Sequence, residues 1–347
     1  MADIRVLCVD DSALIRKLMN ERLGSVDGID VIATAPDPFI AAEKIKTLNP
    51  DVVTLDIEMP RMDGLTFLEK LMKIKPLPVI MASSLTDKGA EQTIKAIKSG
   101  AFDFVLKPQP GSEEHSVESF IMELAQKIKS AAKESVRKQR FNGIAKAKSV
   151  TQITGDCEAT KRIIAIGAST GGTEVIATIL TALPEKTPGI VITQHMPPKF
   201  TRAFAERIDS MAKINVKEAE DGDVLKNSTA YIAPGGTQMS VRHIKDCFRI
   251  IVNDDPPLNR HKPSVDVLFN SVAECNAKDT IGIILTGMGA DGADGMKKMH
   301  DSGCYTIAQD EKSSVIFGMP NEAIKRGGVD KVENIEGIIQ LLTKTIS

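Results

Sequence analysis

Two groups of side chains in this sequence have types and spacing that could do chemistry. The first is acidic: Asp10 and Asp11, then Asp56, with a hydroxyl at Ser83 and a lysine at Lys107 directly before Pro108. Three carboxylates that converge repel one another unless a cation joins them. Mg²⁺ suits such a group, because it takes one or two carboxylates and completes its shell with phosphoryl oxygens and water. With Asp56 as a carboxylate nucleophile, Lys107 supplies a point charge, and Ser83 a hydroxyl, to a phosphoryl group carried there. Taken singly, Asp-Asp-Ser also reads as a helix cap and Lys-Pro as a strand-ending turn.

The second group is built around a serine. Gly167-Ala168-Ser169-Thr170-Gly171-Gly172 fits G-x-S-x-G, a strand-to-helix turn that exposes a serine Oγ beside backbone N–H groups. As a dinucleotide fingerprint it fails twice. Ser169 replaces the middle glycine, and the next strand ends in Gln194-His195 where an acidic residue would hold a ribose. A serine nucleophile needs a base, and the chain has five histidines. His115 lies in a polar connector, His243 in an expected hairpin and His300 on a helix far from its strand end. His195 and His261 remain. His195 is favoured, because it ends the strand that follows the Ser169 crossover and sequential strands usually neighbour each other. His261, in the loop from Asn253 to Pro263, could border the cleft. Asp291, in Leu285-Thr-Gly-Met-Gly-Ala-Asp-Gly292, could orient the base and stabilise its cation. An ordinary Asp-Gly turn is the plain alternative there, and Asp294 is the nearest competitor. The order Ser169, His195, Asp291 is not that of α/β-hydrolases, but such triads are defined by geometry.

These residues need strand ends to carry them. Residues 4 to 108 alternate β-branched runs (IRVLCV, DVIATA, DVVTLD, LPVIMA, AFDFVL) with helical patterns, DSALIRKLMNERLG being the first of these. Five strands each followed by a helix imply a doubly wound parallel sheet, whose ligands sit at the carboxyl ends of the strands. The stretch 109 to 149 has a helical pattern and then a basic, Lys/Ala/Ser-rich run suited to a linker. A second α/β alternation begins at RIIAIG and runs through GIVITQ, INVKEA, a β-rich insert from Thr229 to Val252, TIGIILTG and CYTIAQ to a closing helix. It predicts a mostly parallel doubly wound sheet with an antiparallel hairpin. The expected division is therefore 1–108, 109–149 and 150–347.

Composition narrows the function classes. A chain of 347 residues suggests two domains and a connector, and a net charge of −2 is ordinary for a globular protein. The second half carries a slight acidic excess and no basic recognition helix, which disfavours a nucleic-acid-binding output. With no Trp and two Tyr, a wall of stacked rings for bases cannot be assembled. Five scattered cysteines (Cys8, Cys157, Cys247, Cys275, Cys304) without a C-x-x-C pair read as buried small hydrophobes in a reducing compartment. The absence of a long apolar run adds to the expectation of a cytoplasmic protein.

The motifs also carry family resemblances. Val9-Asp-Asp-Ser-Ala-Leu-Ile-Arg16, Asp56-Ile-Glu-Met-Pro-Arg-Met-Asp-Gly64 and Lys107-Pro108 together resemble a response-regulator receiver domain of the flavodoxin-like fold. That resemblance implies that Asp56 accepts a phosphoryl group from a histidine kinase. It implies Mg²⁺ held by Asp11, Asp56, the Glu58 backbone and, through water, Asp10, with Ser83, Phe104 and Lys107 relaying the change. GASTGG, Thr193-Gln-His-Met-Pro197, Ala233-Pro-Gly-Gly236 and LTGMGADGADGM resemble the catalytic domain of the chemotaxis protein-glutamate methylesterases, with Ala290 where asparagine is common. By this resemblance Ser169 is the nucleophile, His195 the base and Asp291 its orienter, with backbone N–H groups near Thr170 and Met288 forming the oxyanion hole. The implied substrate is a glutamate methyl ester, or a glutamine, on a chemoreceptor. That partner would be the chain's only link to a membrane. In the family the unphosphorylated receiver covers the active-site mouth.

Overall fold

The strand-forming runs are almost wholly apolar. Val52–Asp56 and Ile163–Ala168, for example, are buried at every position, as parallel strands covered on both faces must be. The computed structural model describes residues 3–108, 116–137, 158–275 and 280–346. The chain divides into two compact units, Met1–Ile144 and Ala145–Ser347.

In the first unit, β1 (Ile4–Val9), β2 (Ile29–Ala35), β3 (Val52–Asp56), β4 (Val79–Ser83) and β5 (Asp103–Leu106) form one sheet in the order β2-β1-β3-β4-β5. Every adjacent pair is parallel. Helices α1 (Ala13–Leu18), α2 (Pro38–Leu48), α3 (Gly64–Ile74), α4 (Asp87–Lys98) and α5 (Val117–Arg137) make the crossovers and the closing layer. The first helix is not uniform: after Leu18 it widens into a π-helical turn, Met19–Leu23, that buries Met19 and Leu23. Chain order reverses between β1 and β3, so the crevice of this sheet opens where Asp10 and Asp56 end their strands.

The second unit has a seven-stranded parallel sheet. Its strands are β6 (Ile163–Ala168), β7 (Gly189–Gln194), β8 (Asn215–Glu218), β9 (Thr229–Ile232), β12 (Ile281–Ile284), β13 (Tyr305–Gln309) and β14 (Lys331–Glu333), in the order β14-β13-β12-β6-β7-β9-β8. Strands β10 (Gln238–Ile244) and β11 (Cys247–Asn253) form a separate antiparallel hairpin. Its inner residues Met239, Val241, Phe248 and Ile250 share a core with Leu268, Phe269 and Val272 of α8 (Val265–Glu274). The β-rich insert thus splits, its first run joining the large sheet beside β7 and only the rest forming the hairpin. The helices α6 (Gly172–Ala182), α7 (Phe200–Asp209), α9 (Ala293–Asp301), α10 (Met319–Lys325) and α11 (Ile335–Ile346) complete the layers. Neither α10 nor the three-residue β14 stands out in the sequence pattern. Cys8 alone among the described cysteines is fully buried. Cys247, Cys275 and Cys304 are half-buried and free, and Cys157 lies outside the described residues.

Candidate active site

At the end of β6 the chain must turn sharply, and glycine permits it. Gly171 sits at φ 78°, in the left-handed region, and caps α6. A Cβ on Gly287 would fall 2.8 Å from the Ser169 Cβ, so the loop after β12 can lie against the serine only because no side chain intervenes. The Ser169 N–H donates to the Thr286 carbonyl (3.0 Å), and the Gln194 amide donates to the Ser169 carbonyl (2.9 Å). The turn is therefore pinned from both neighbouring strands. Ser169 remains half-buried, and neither the Thr170 nor the Met288 N–H has an acceptor among the described residues.

Sheet order brings the other two residues to it. Strand β6 lies between β7 and β12, and chain order reverses there, so Ser169, His195 and the loop after β12 meet at a topological switch point. The His195 N–H donates to the Ala168 carbonyl (3.1 Å), which sets His195 beside the serine turn. Its Nε2 lies 2.8 Å from Asp291 Oδ2. An ionised carboxylate only accepts, so Nε2 carries the proton and Nδ1 carries the lone pair. Nδ1 is buried and has no hydrogen-bond partner. It is the nitrogen left for a serine hydroxyl, although among the described residues no hydrogen bond yet joins Ser169 Oγ to the ring. Such bonds often tighten only in the substrate complex.

Asp291 is 2% exposed and heavily provided with donors. Oδ2 also accepts the Val265 N–H (2.7 Å), while Oδ1 accepts the Ser264 hydroxyl (2.7 Å) and the Asn259 amide (2.9 Å). Burial alone would raise its pKa, but the bonds from His195, Asn259 and Ser264 outweigh that and hold the carboxyl well below the usual range. A second buried carboxylate, Asp266, accepts the Gly295 N–H (2.7 Å) and the Asn259 amide (2.7 Å). Burial first, and then the nearby Asp291 charge, push it up to about 6 against the pull of the Gly295 N–H. His261 stacks on His195, with ring centroids 3.7 Å apart and planes 10° from parallel. Burial, and then the neighbouring His195, bring the His261 pKa down to about 4.

The structure thus brings His195 and Asp291 into contact beside Ser169, and puts His261 at the border of the site. The other candidates stand apart. Asp294 points outward to Arg326 (2.8 Å), His243 packs on Phe248 in the hairpin, His300 lies near the end of α9, and His115 is outside the described residues. Sequence reasoning missed Asn259, Ser264 and Asp266. Ser264 carried a signal, because a Ser before an apolar helical run reads as an N-cap; here its hydroxyl serves Asp291 instead of the helix.

The acidic group of the first unit also assembles. Ligand atoms of Asp10, Asp11 and Asp56 lie within 4.8 Å of one another. Lys107 Nζ is 2.8 Å from Asp10 Oδ2 and 2.7 Å from Asp56 Oδ2, as ion pairs without hydrogen-bond alignment, so both buried oxygens hold charge that a cation could share. The Glu58 N–H donates to Asp56 Oδ1 (3.3 Å). Burial pushes the Asp56 carboxyl up to about 6; Lys107 opposes the shift and Asp10 adds to it. Ser83 is fully buried and accepts the Thr93 hydroxyl of α4 (2.9 Å), so its oxygen is engaged by that helix. Phe104 is buried on β5, its carbonyl accepting from Lys127 Nζ of α5 at 2.5 Å.

Comparison with known proteins identifies the two domains. Residues 164–342 match the family model for CheB methylesterase, and residues 6–116 that for the response regulator receiver domain. Protein-glutamate methylesterase/protein-glutamine glutaminases of Pectobacterium atrosepticum and Salmonella typhi are each 50% identical over 347 residues, covering 100% of this chain and 98% of theirs. The crystal structure of the Thermotoga maritima CheB methylesterase catalytic domain superposes with a TM-score of 0.51 at 38% identity, covering 54% of this chain and 98% of that one. With the second unit so matched and the relatives aligned end to end, the chain belongs to the CheB methylesterase family and carries a response regulator receiver domain ahead of the methylesterase region.

Proposed function

We propose that this protein is a phosphorylation-regulated serine esterase that hydrolyses glutamate methyl esters on chemoreceptors and deamidates receptor glutamines. The observation that carries the reading is the His195–Asp291 pair, which leaves Nδ1 buried without a hydrogen-bond partner on a residue whose N–H is bonded to Ala168 of the serine turn. Ser169 Oγ attacks the ester carbonyl while His195 Nδ1 takes its proton. The carbonyl oxygen, now negative, is met by the Thr170 and Met288 N–H groups. Collapse breaks the C–O bond, His195 returns the proton to the leaving methoxide, and methanol departs from an acyl-serine. Water, deprotonated by the same nitrogen, then releases the carboxylate and restores the serine. With a glutamine the leaving group is ammonia. Asp291 stays ionised throughout and stabilises the imidazolium.

In the receiver, Asp56 is the phosphoryl acceptor, with a histidine kinase as donor. The paired but unaligned oxygens of Asp10 and Asp56, with Asp11 beside them, fit an Mg²⁺ ion, which Asp10, Asp11, Asp56 and the Glu58 backbone would hold. The ion supplies charge neutralisation for the incoming phosphoryl group. Lys107 pairs with the same oxygens, while Ser83 and Phe104 face elements that a phosphorylated Asp56 can reposition. Among the described residues no helix is long and apolar enough to cross a membrane, in keeping with a cytoplasmic protein that meets membranes through receptors. The deciding experiment is methanol release from methylated receptor membranes, with and without a small phosphodonor and Mg²⁺. Ser169→Ala should abolish release and leave Asp56 phosphorylation intact; substantial residual esterase would remove Ser169 from the role.

A further inference from the structure

The acid of the triad has a neighbour that its chemistry does not require. Asn259 reaches from the loop between the hairpin and α8 with its backbone at φ 54°, in the left-handed region that asparagine tolerates better than most residues. Its side-chain nitrogen lies 2.9 Å from Asp291 Oδ1 and 2.7 Å from Asp266 Oδ2. Both flanking atoms are carboxylate oxygens, so only the NH₂ end can face them, one hydrogen to each. Asp266, itself 2% exposed, is anchored on its other oxygen by the Gly295 N–H at 2.7 Å. The two acids are thus tied through one amide, and a second fixed point holds the amide in turn.

We infer that Asn259, braced by Asp266, is a positioning residue for ester hydrolysis, fixing the rotation of the Asp291 carboxylate so that Oδ2 meets His195 Nε2. A carboxylate held on one oxygen alone can swing. Here the Val265 N–H sets Oδ2, and Oδ1 takes the Asn259 amide together with the Ser264 hydroxyl and, at 3.4 Å, the Asp266 N–H. Of the two side-chain donors the hydroxyl can rotate about its own bond, whereas the amide is braced by Asp266, so it is the amide that fixes Oδ1 and leaves Oδ2 aimed at the imidazole. The plain alternative is a structural one, in which Asn259 serves only the left-handed turn and Asp266 only the start of α9. The two accounts differ on which substitutions hurt. Glycine keeps the left-handed backbone without an amide, and aspartate keeps the shape and tolerates the backbone while replacing the donor with an acceptor.

The inference rests on the Ser169, His195 and Asp291 roles proposed above, so Ser169→Ala is measured alongside. Steady-state methanol release by the full chain is compared for wild type, Asn259→Gly, Asn259→Asp and Asp266→Asn, with a thermal unfolding scan of each. In Asn259→Gly, kcat should fall by about tenfold or more with KM within about twofold, the pattern of an interaction that matters in the transition state. Asn259→Asp should lose at least as much. Asp266→Asn retains an acceptor for Gly295 but sets NH₂ against NH₂, and should also lower kcat, which keeps the test open if an Asn259 variant fails to fold. If Asn259→Asp works as well as wild type, or both Asn259 variants stay within about twofold in kcat, the positioning role is wrong. If Ser169→Ala is still active, the triad itself is wrong.

Discussion

Asp291→Asn removes one charge and little else, which makes it the sharpest probe of how the site works. Two orientations are open to the new amide. With its NH₂ toward Oδ2's place it faces both His195 Nε2–H and the Val265 N–H, two donor–donor conflicts, and relief at His195 would move the proton to Nδ1 and silence the base. With its NH₂ toward Oδ1's place it meets the Asn259 amide and, only at 3.4 Å, the Asp266 N–H, while the Ser264 hydroxyl can rotate to accept. The second arrangement costs less and keeps the tautomer, so the main loss is electrostatic. A unit charge about 4 Å from an imidazolium is worth about 4 kcal/mol at an effective dielectric near 20, which is roughly three orders of magnitude in kcat. Stability should drop by only about 1–3 kcal/mol, the cost of leaving the Asn259 hydrogen without an acceptor, since the Asp266 N–H gives up only a long 3.4 Å contact. The assay is methanol release under saturating substrate, with the unfolding midpoint as the control for folding. Retention of more than a tenth of wild-type kcat by a folded Asp291→Asn chain, under conditions where Ser169→Ala is dead, would refute the electrostatic role.

Three other outcomes are expected. Lys107→Met frees the Asp10 and Asp56 oxygens that a cation would also use, so calorimetric titration should show Mg²⁺ binding about tenfold tighter than wild type; weaker binding would count against a shared site. Gly287→Ala sets a methyl 2.8 Å from Ser169 Cβ and 2.2 Å from Met319 Sδ; the flexible methionine can yield, but the serine shifts, and kcat should fall by about 10²-fold. The pH dependence of stability tests His261 against Asp266. The His261 pKa drops from 6.5 to about 4 on folding, so its contribution is full above 6.5 and is lost as pH falls toward 4. The Asp266 value rises from 3.8 to about 6, so the fold gains stability as pH falls from 6 toward 4. Each effect is on the order of 3 kcal/mol before solvent screening. Because Asp56 is raised to about 6 as well and stays in place in both variants, the denaturant midpoint of each is compared with wild type. As pH falls from 6.5 toward 4, the midpoint of His261→Asn should rise relative to wild type and that of Asp266→Asn should fall relative to wild type; differences of the same sign would contradict both assignments.

The strands that carry the sites were legible because each is a short apolar run ending in a residue with chemistry: Asp10, Asp56, Ser83, Lys107, Ser169 and His195. Periodicity registers burial, and a parallel strand buried on both faces leaves an unambiguous trace. Strand order was less accessible. That Thr229–Ile232 joins the large sheet, while the rest of its run folds away as a hairpin, depends on contacts with β7 and β8 that local pattern does not encode. Asn259 and Asp266 escaped for a related reason. Each looks like a surface loop or first-turn residue, and only the approach of Asp291 from another crossover turns them into partners. Which imidazole nitrogen faces the acid has no signature in sequence at all.

The surroundings of Asp291 have one more consequence. Four of its donors, the Asn259 amide, the Ser264 hydroxyl and the Val265 and Asp266 N–H groups, come from the single stretch Asn259–Asp266. The carboxylate's desolvation is therefore compensated during folding, before any substrate arrives, by one contiguous cassette. For an engineer, that stretch is the natural unit of transfer: moved with the loop that carries the acid, it would bring a ready-made anion socket to another parallel sheet, while a transplanted aspartate alone would arrive without a host.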